Sequence, residues 1–206
     1  MKSTLYYVLD PMCSWCWGFQ PVFKALLEKL PDQIDVHYVM GGLAPDSDQP
    51  MPEETRKYVQ QQWRQVAEKT GAEFNNDFWK NCEPRRSTYP ACRAVITAGQ
   101  QGKENIPAMI YAIQKAYYLQ ARNPSDLATL ISLAKEIQLD VEKFEHDITS
   151  PKTEQMLQMD FKTRHKLGVN SFPTVLLETK QGLHLLTQGN DSLDNIIKKI
   201  QAYSLL

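Results

Sequence analysis

A chain of 206 residues, 42% of them hydrophobic, is long enough for one well-filled core or for one domain carrying a large insertion. Its formal net charge of −1 offers no cationic field for nucleic acid or an anionic membrane, and no apolar stretch approaches the length of a membrane span. Met1-Lys2-Ser3-Thr4 lacks the apolar core and small-residue cleavage site of a secretory signal, so a cytoplasmic setting is expected, where a disulfide is more often catalytic than structural.

Lys2 to Leu9 form the first predicted strand, carried by Leu5, Tyr6, Tyr7, Val8 and Leu9. Asp10-Pro11-Met12 breaks it. Cys13-Ser14-Trp15-Cys16 follows where the next helix should begin, ahead of an apolar helical stretch to Leu30. A thiol at a helix N-terminus meets unpaired backbone N–H groups and the positive end of the helix dipole, and both favour the thiolate, the reactive form of cysteine. A CxxC in this strand-to-helix setting is a redox signature. Two plainer readings compete with it: inert core cysteines, or half of a zinc site. Zinc would need two further ligands at close spacing. Cys82 and Cys92 stand too far apart to form a second CxxC, and His37, His146, His165 and His184 are scattered singly, so no metal is expected.

Asp10, the nearest carboxylate to Cys13, is expected to cap the helix; proton transfer to or from Cys16 is its alternative role. Trp15, Trp17 and Phe19 give an aromatic rim, part of which should face the core, with Trp15 the ring expected to touch substrate. Pro21 lies inside the helix and should kink it.

Gln33 to Met40 alternates apolar and polar residues as a second strand, ended by Gly41-Gly42. From Pro52 to Gly168 the pattern turns helical. Val59, Trp63, Val66, Ala67 and Thr70 recur at helical spacing before Gly71, and Met109, Ile113, Ala116 and Tyr117 do the same. Asn123-Pro124-Ser125 opens another predicted helix, and Ser150-Pro151 starts one that runs to Leu167-Gly168. Cys82 and Cys92, with Arg85, Arg86 and Arg93 nearby, read as buried free thiols, a second redox pair being the alternative.

Strand character returns at Pro173 to Glu178 and Gly182 to Thr187, joined by a hairpin-length connection that makes them antiparallel neighbours. Ser192 caps a last amphipathic helix bearing Leu193, Ile196, Ile197, Ile200 and Tyr203. Pro173 has no N–H, so a strand starting there leaves an edge where a peptide can pair; simply beginning a strand is its plainer role. Without the helical middle, the order is strand, helix, strand, then strand, strand, helix. An N-terminal half of the fold is expected at 1–45, a helical insertion at 46–167 and the C-terminal half at 168–206.

That α/β order, with CxxC after the first strand, resembles the thioredoxin fold, and the helical insertion resembles its DsbA-like branch. Asp10-Pro11-Met12-Cys13-Ser14-Trp15-Cys16-Trp17-Gly18-Phe19 is similar to the D-x-x-C-P-W-C-x-x-G pattern of FrnE-type and 2-hydroxychromene-2-carboxylate isomerase-like proteins. Gly168-Val169-Asn170-Ser171-Phe172-Pro173-Thr174-Val175 is the second matching segment, and Pro21, five residues after Cys16, is a third. The resemblance implies a mixed central sheet with cis Pro173 beside the active-site disulfide. It implies a thiol–disulfide oxidoreductase in which Cys13 attacks and Cys16 resolves. Ser14, Trp15 and Asp10 would tune the pair, while Phe172, Pro173 and Trp17 would meet substrate. Protein or small-molecule thiols and disulfides would be the partners. No cofactor is implied beyond the reversible disulfide, with glutathione as the candidate co-substrate.

Two positions depart from the family pattern, and a third separates the chain from the isomerase members. Ser14 replaces the usual proline or glycine, so the redox potential does not carry over. Phe172 replaces a smaller residue, which leaves substrate preference open. Isomerase members carry serine at the first cysteine position, and Cys13 argues against their chemistry. A redox-inactive adaptor and a glutathione-dependent transferase or isomerase stand as the alternatives.

Overall fold

β1 (Ser3–Leu9) is buried on both faces, with Leu5, Tyr7 and Leu9 turned to one side and Val8 to the other, as a strand between two neighbours requires. A computed structural model describes residues 3–204 and places this strand inside a four-stranded sheet of order β2-β1-β3-β4. β2 (Ile34–Met40) runs parallel to β1, after the crossover helix α1 (Ser14–Leu27). β3 (Thr174–Thr179) runs antiparallel to β1, and β4 (Gly182–Gln188) closes the hairpin on β3 with a register shift at Val175/Leu176. α9 (Leu193–Ser204) ends the described chain, its first turn satisfied by Ser192 Oγ, which accepts from Asn195 N at 3.3 Å. This is the mixed sheet of a thioredoxin fold.

Between β2 and β3 the chain is helical: α2 (Glu53–Thr70), α3 (Phe78–Asn81), α4 (Tyr89–Gln100), α5 (Asn105–Tyr118), α6 (Leu127–Glu136), α7 (Val141–Ile148) and α8 (Pro151–Lys166). Gly71 ends α2 at φ 74°, and Ser150 Oγ accepts from Thr153 N at 3.2 Å to start α8. One boundary moves. The helix expected at Asn123-Pro124-Ser125 begins at Leu127, because Asn123 Oδ1 accepts from Ser125 N at 3.1 Å and closes a turn of its own first.

The larger core joins one sheet face to α1 and the helical layer. Trp63 lies at its centre, with the rings of Phe74, Phe78, Trp79, Tyr117 and Tyr118 within 5.9 Å of it, centroid to centroid. On the opposite face Val8, Val39, Val169 and Leu176 form a smaller cluster, against which Phe172 packs.

Candidate redox site

β1 stops at Leu9 because Asp10 turns the chain: its Oδ1 accepts from Met12 N at 2.8 Å, and its carbonyl accepts from Cys13 N at 3.0 Å. That turn makes Cys13 the N-cap of α1, and Trp17 N, donating to Cys13 O at 3.1 Å, begins the helical ladder. Cys13 retains 7% exposure, whereas Cys16, one turn along, has none. Both are free thiols. The cis peptide bond lies between Phe172 and Pro173, and Cys13 Sγ lies 3.6 Å from Phe172 O. The loop carrying them is held by β4, Gly189 N donating to Pro173 O at 2.7 Å.

Burial pushes the Cys16 thiol well above its ordinary pKa; the neighbouring Cys13 sulfur adds to this, while the Asp10 backbone N–H partly offsets it. Cys16 therefore holds its proton at neutral pH until its environment changes. The hydroxyls of Tyr7 and Tyr118, both buried, are also raised by burial, and the two cysteine sulfurs contribute to each.

Asp10 does not cap α1. Its carboxylate is fully buried, and Oδ2 accepts from Leu43 N at 2.7 Å and from Thr88 Oγ1 at 2.7 Å, with Cys92 Sγ at 3.7 Å. It therefore ties the turn after β1 to the segment after β2 and to the start of α4. Burial raises its pKa, opposed by these hydrogen bonds and by the positive charge of Arg86.

Of the three aromatic residues, one faces the core and two are half-buried. Phe19 is fully buried. Trp15 donates through Nε1 to Gln62 Oε1 at 3.1 Å, so its indole is anchored on α2. Trp17 donates to Glu73 O at 3.0 Å and stacks on Tyr118 at 5.7 Å, which docks it on the helical layer rather than on the cis-proline loop. Ser14 is buried beside them.

Phe172 has a support that sequence reasoning missed. A Cβ built on Gly41 would lie 2.3 Å from the Phe172 ring, and one on Gly42 would lie 2.5 Å from Phe161. Arg164 from α8 holds its guanidinium 5.9 Å from each ring centroid and donates to Gly41 O. The Gly41-Gly42 pair, which reads in the sequence only as a strand end, was the available signal for this close approach.

Cys82 and Cys92 are free thiols bonded to different segments: Cys82 Sγ donates to Ala121 O at 3.0 Å, and Cys92 Sγ faces Asp10. Burial raises both thiols, with Asp126 adding to Cys82 and Asp10 to Cys92. Arg85 is paired with Asp126, and Arg93 with Asp46 and Glu154. Among the described residues no cluster of three or more His, Cys, Asp or Glu is placed to hold a metal ion, and no helix is long and apolar enough to cross a membrane.

A slightly exposed thiol at a helix N-terminus, a fully buried partner one turn on and the Phe172 carbonyl before the cis proline, beside the first sulfur, form a dithiol site suited to thiol–disulfide exchange. The family model described as Thioredoxin matches residues 6–198. The chain belongs to this family. Among solved structures, a candidate protein disulfide isomerase from Nitrosomonas europaea is 27% identical, with a TM-score of 0.89 over 100% of this chain and 98% of the other. The cytosolic disulfide reductase DsbM from Pseudomonas aeruginosa is 26% identical, with a TM-score of 0.80 over 98% of this chain and 100% of DsbM, and is also similar in its complex with glutathione. The ClpXP adapter protein SpxH of Bacillus subtilis is 25% identical over 173 residues, 83% of this chain and 56% of SpxH, so the chain spans little more than half of that relative's length. The architecture is thus that of the DsbA-like disulfide oxidoreductases within the thioredoxin family.

Proposed function

We propose that the chain is a cytoplasmic thiol–disulfide oxidoreductase that reduces disulfides through Cys13 and Cys16, with glutathione as the thiol that restores it. The Cys13 thiolate attacks one sulfur of a substrate disulfide, forming a mixed disulfide and expelling the other sulfur as a thiolate that takes up a proton. Cys16 then loses its proton and attacks the Cys13 sulfur. The second substrate thiol leaves, and Cys13–Cys16 is oxidised by two electrons. Two glutathione thiols reverse that oxidation and become glutathione disulfide.

The observation that carries this reading is the pairing of Cys13, buried but still 7% exposed and 3.6 Å from Phe172 O, with a fully buried Cys16. The likeness to DsbM, named a cytosolic disulfide reductase and solved with glutathione, supports the direction and the co-substrate. Tyr7 and Asp10 would act on Cys16 as it changes protonation, since both lie in its electrostatic surroundings.

The test is turnover of a small disulfide with glutathione as reductant. Cys13→Ser should bring the rate to background, and Cys16→Ser should accumulate a mixed disulfide at Cys13 visible by intact-mass spectrometry. Turnover unchanged in Cys13→Ser would sink the reading.

The SpxH relatives favour a second reading, a protein adaptor on the same scaffold. Its signature is a protein partner whose binding survives replacement of both Cys13 and Cys16 by serine. Under the redox reading, capture depends on Cys13.

A further inference from the structure

Two cations stand beside the redox motif without a carboxylate paired to either. Lys69, exposed in the last turn of α2, holds its Nζ 6.0 Å from the centre of the Trp15 ring, and Trp15 lies between the two cysteines in the chain. The indole is fixed there by its bond to Gln62 Oε1, and Gln62, Gln65 and Lys69 fall at helical spacing along one side of α2. From α8, the Arg164 guanidinium lies 5.9 Å from the ring of Phe172, the residue whose carbonyl stands 3.6 Å from Cys13 Sγ. Among the described residues neither Lys69 nor Arg164 takes part in an ion pair.

The carboxylates tied to this region leave that charge standing. Asp10 and Asp160 are enclosed, burial raises both, and Asp160 is pushed up to about 7. Glu73 meets Trp17 through its carbonyl oxygen, not through its carboxylate. A chain with a formal net charge of −1 thus gathers positive charge around its thiol site. That charge discriminates. A thiolate repels an incoming disulfide that carries carboxylates, whereas cations at the site offset this repulsion and turn a cationic disulfide away. Arg164 is committed to Gly41 O, but Lys69 is exposed, and its flexible stem lets the ammonium follow a ligand. With Cys13 only 7% exposed, a slender disulfide has the easier approach.

We propose that the site selects small disulfides with a carboxylate a few bonds from each sulfur, and that Lys69 receives one carboxylate beside Trp15 while Cys13 attacks. This rests on the disulfide-reductase reading above and adds the charge of the substrate to it. The exchange itself is unaltered: Cys13 bonds to one substrate sulfur, the other leaves as a thiolate and takes up a proton, and Cys16 completes the two-electron transfer.

The test uses the full chain, reduced beforehand, and three disulfides of similar length but different charge: dithiodipropionate, hydroxyethyl disulfide and cystamine. Each oxidises the dithiol directly, and the rate constant is read from the loss of free thiol. The disulfides differ in intrinsic reactivity, so the quantity compared between variants is the ratio of the dithiodipropionate rate constant to that of cystamine. Lys69→Glu should lower this ratio about tenfold and Lys69→Gln about threefold, while Lys69→Arg should hold it within about twofold. In the parent chain the ratio should also fall as salt rises from about 0.01 to about 1 M, because the Debye length shrinks from about 30 to about 3 Å. A ratio that Lys69→Glu leaves unchanged would overturn the proposal. So would a loss shared equally by all three disulfides, which would make Lys69 a support for Trp15. Oxidation of the parent by none of the three would overturn the reductase reading itself, and the proposal with it.

Discussion

Gly41 has no Cβ, and the ring of Phe172 fills the place where one would stand, 2.3 Å from its ideal position. The carbonyl of the same Phe172 receives the Cys13 thiol, so the glycine acts on the redox site through one intervening residue. Gly41→Ala should displace the ring, at a cost of about 1–3 kcal/mol for a small-to-large change in a packed contact. It should also lower kcat/KM for disulfide reduction. The cause is steric and resides in one partner, so it can be isolated. In a Phe172→Ala background the methyl group has room, and the stability cost of Gly41→Ala should largely vanish in a urea-denaturation double-mutant cycle. Additive losses in that cycle would mean that Gly41 acts on something other than Phe172. Asp10 shows why such residues are hard to read from sequence. An aspartate three residues before a helical cysteine looks like a cap, yet its partners, Leu43 N and Thr88 Oγ1, come from far along the chain, and local spacing carries no trace of them.

α8 presents Asp160, Phe161 and Arg164 to the end of β2 and the loop before β3. Phe161 lies over Gly42, Arg164 donates to Gly41 O, and Asp160 Oδ2 accepts from Met40 N at 2.9 Å. The amide helps the carboxylate, but burial dominates and pushes Asp160 up to about 7. The folded state thus keeps a proton that the unfolded chain gives up near pH 4, so stability falls as pH rises from about 4 to about 7 and is flat above. Asp10, raised in the same direction, adds to that slope. Asp160→Asn keeps an oxygen for Met40 N and removes the charge. It should match the parent near pH 4 and exceed it at pH 8 by on the order of 2–4 kcal/mol in urea denaturation. Equal midpoints at pH 8 would show that folding does not raise the Asp160 pKa. The existence of this helix was legible from Ser150-Pro151 and Gly168, as the sheet was from Leu5 to Leu9 and the hairpin from Thr179 to Gly182. Which face of α8 turns inward was not. The helix is mostly polar, and the value of an inward aspartate depends on an amide 120 residues away.

The two halves of the fold and the helical insertion between them share a core. Leu5, Leu9 and Val175 of the sheet, Cys16 and Phe19 of α1, and Trp63, Ile113 and Tyr118 of the helical layer belong to one continuous buried cluster. Trp15 and Trp17 fasten α1 to α2 and to the segment after it through their indole N–H groups. Opening the helical layer alone would strip one side of the redox helix and expose the rings around Trp63, which no other element could cover. The layer and the sheet should therefore unfold as a single cooperative unit. Native-state hydrogen exchange at rising denaturant separates the cases. The slowest amides of β1, such as those of Leu5 and Val8, should converge on the same opening free energy as Ile113 and Ala116 of α5. Should the α5 amides exchange through a lower-energy opening while β1 stays protected, the helical layer would be a separable domain, and the redox helix would rest on a surface that can detach from it.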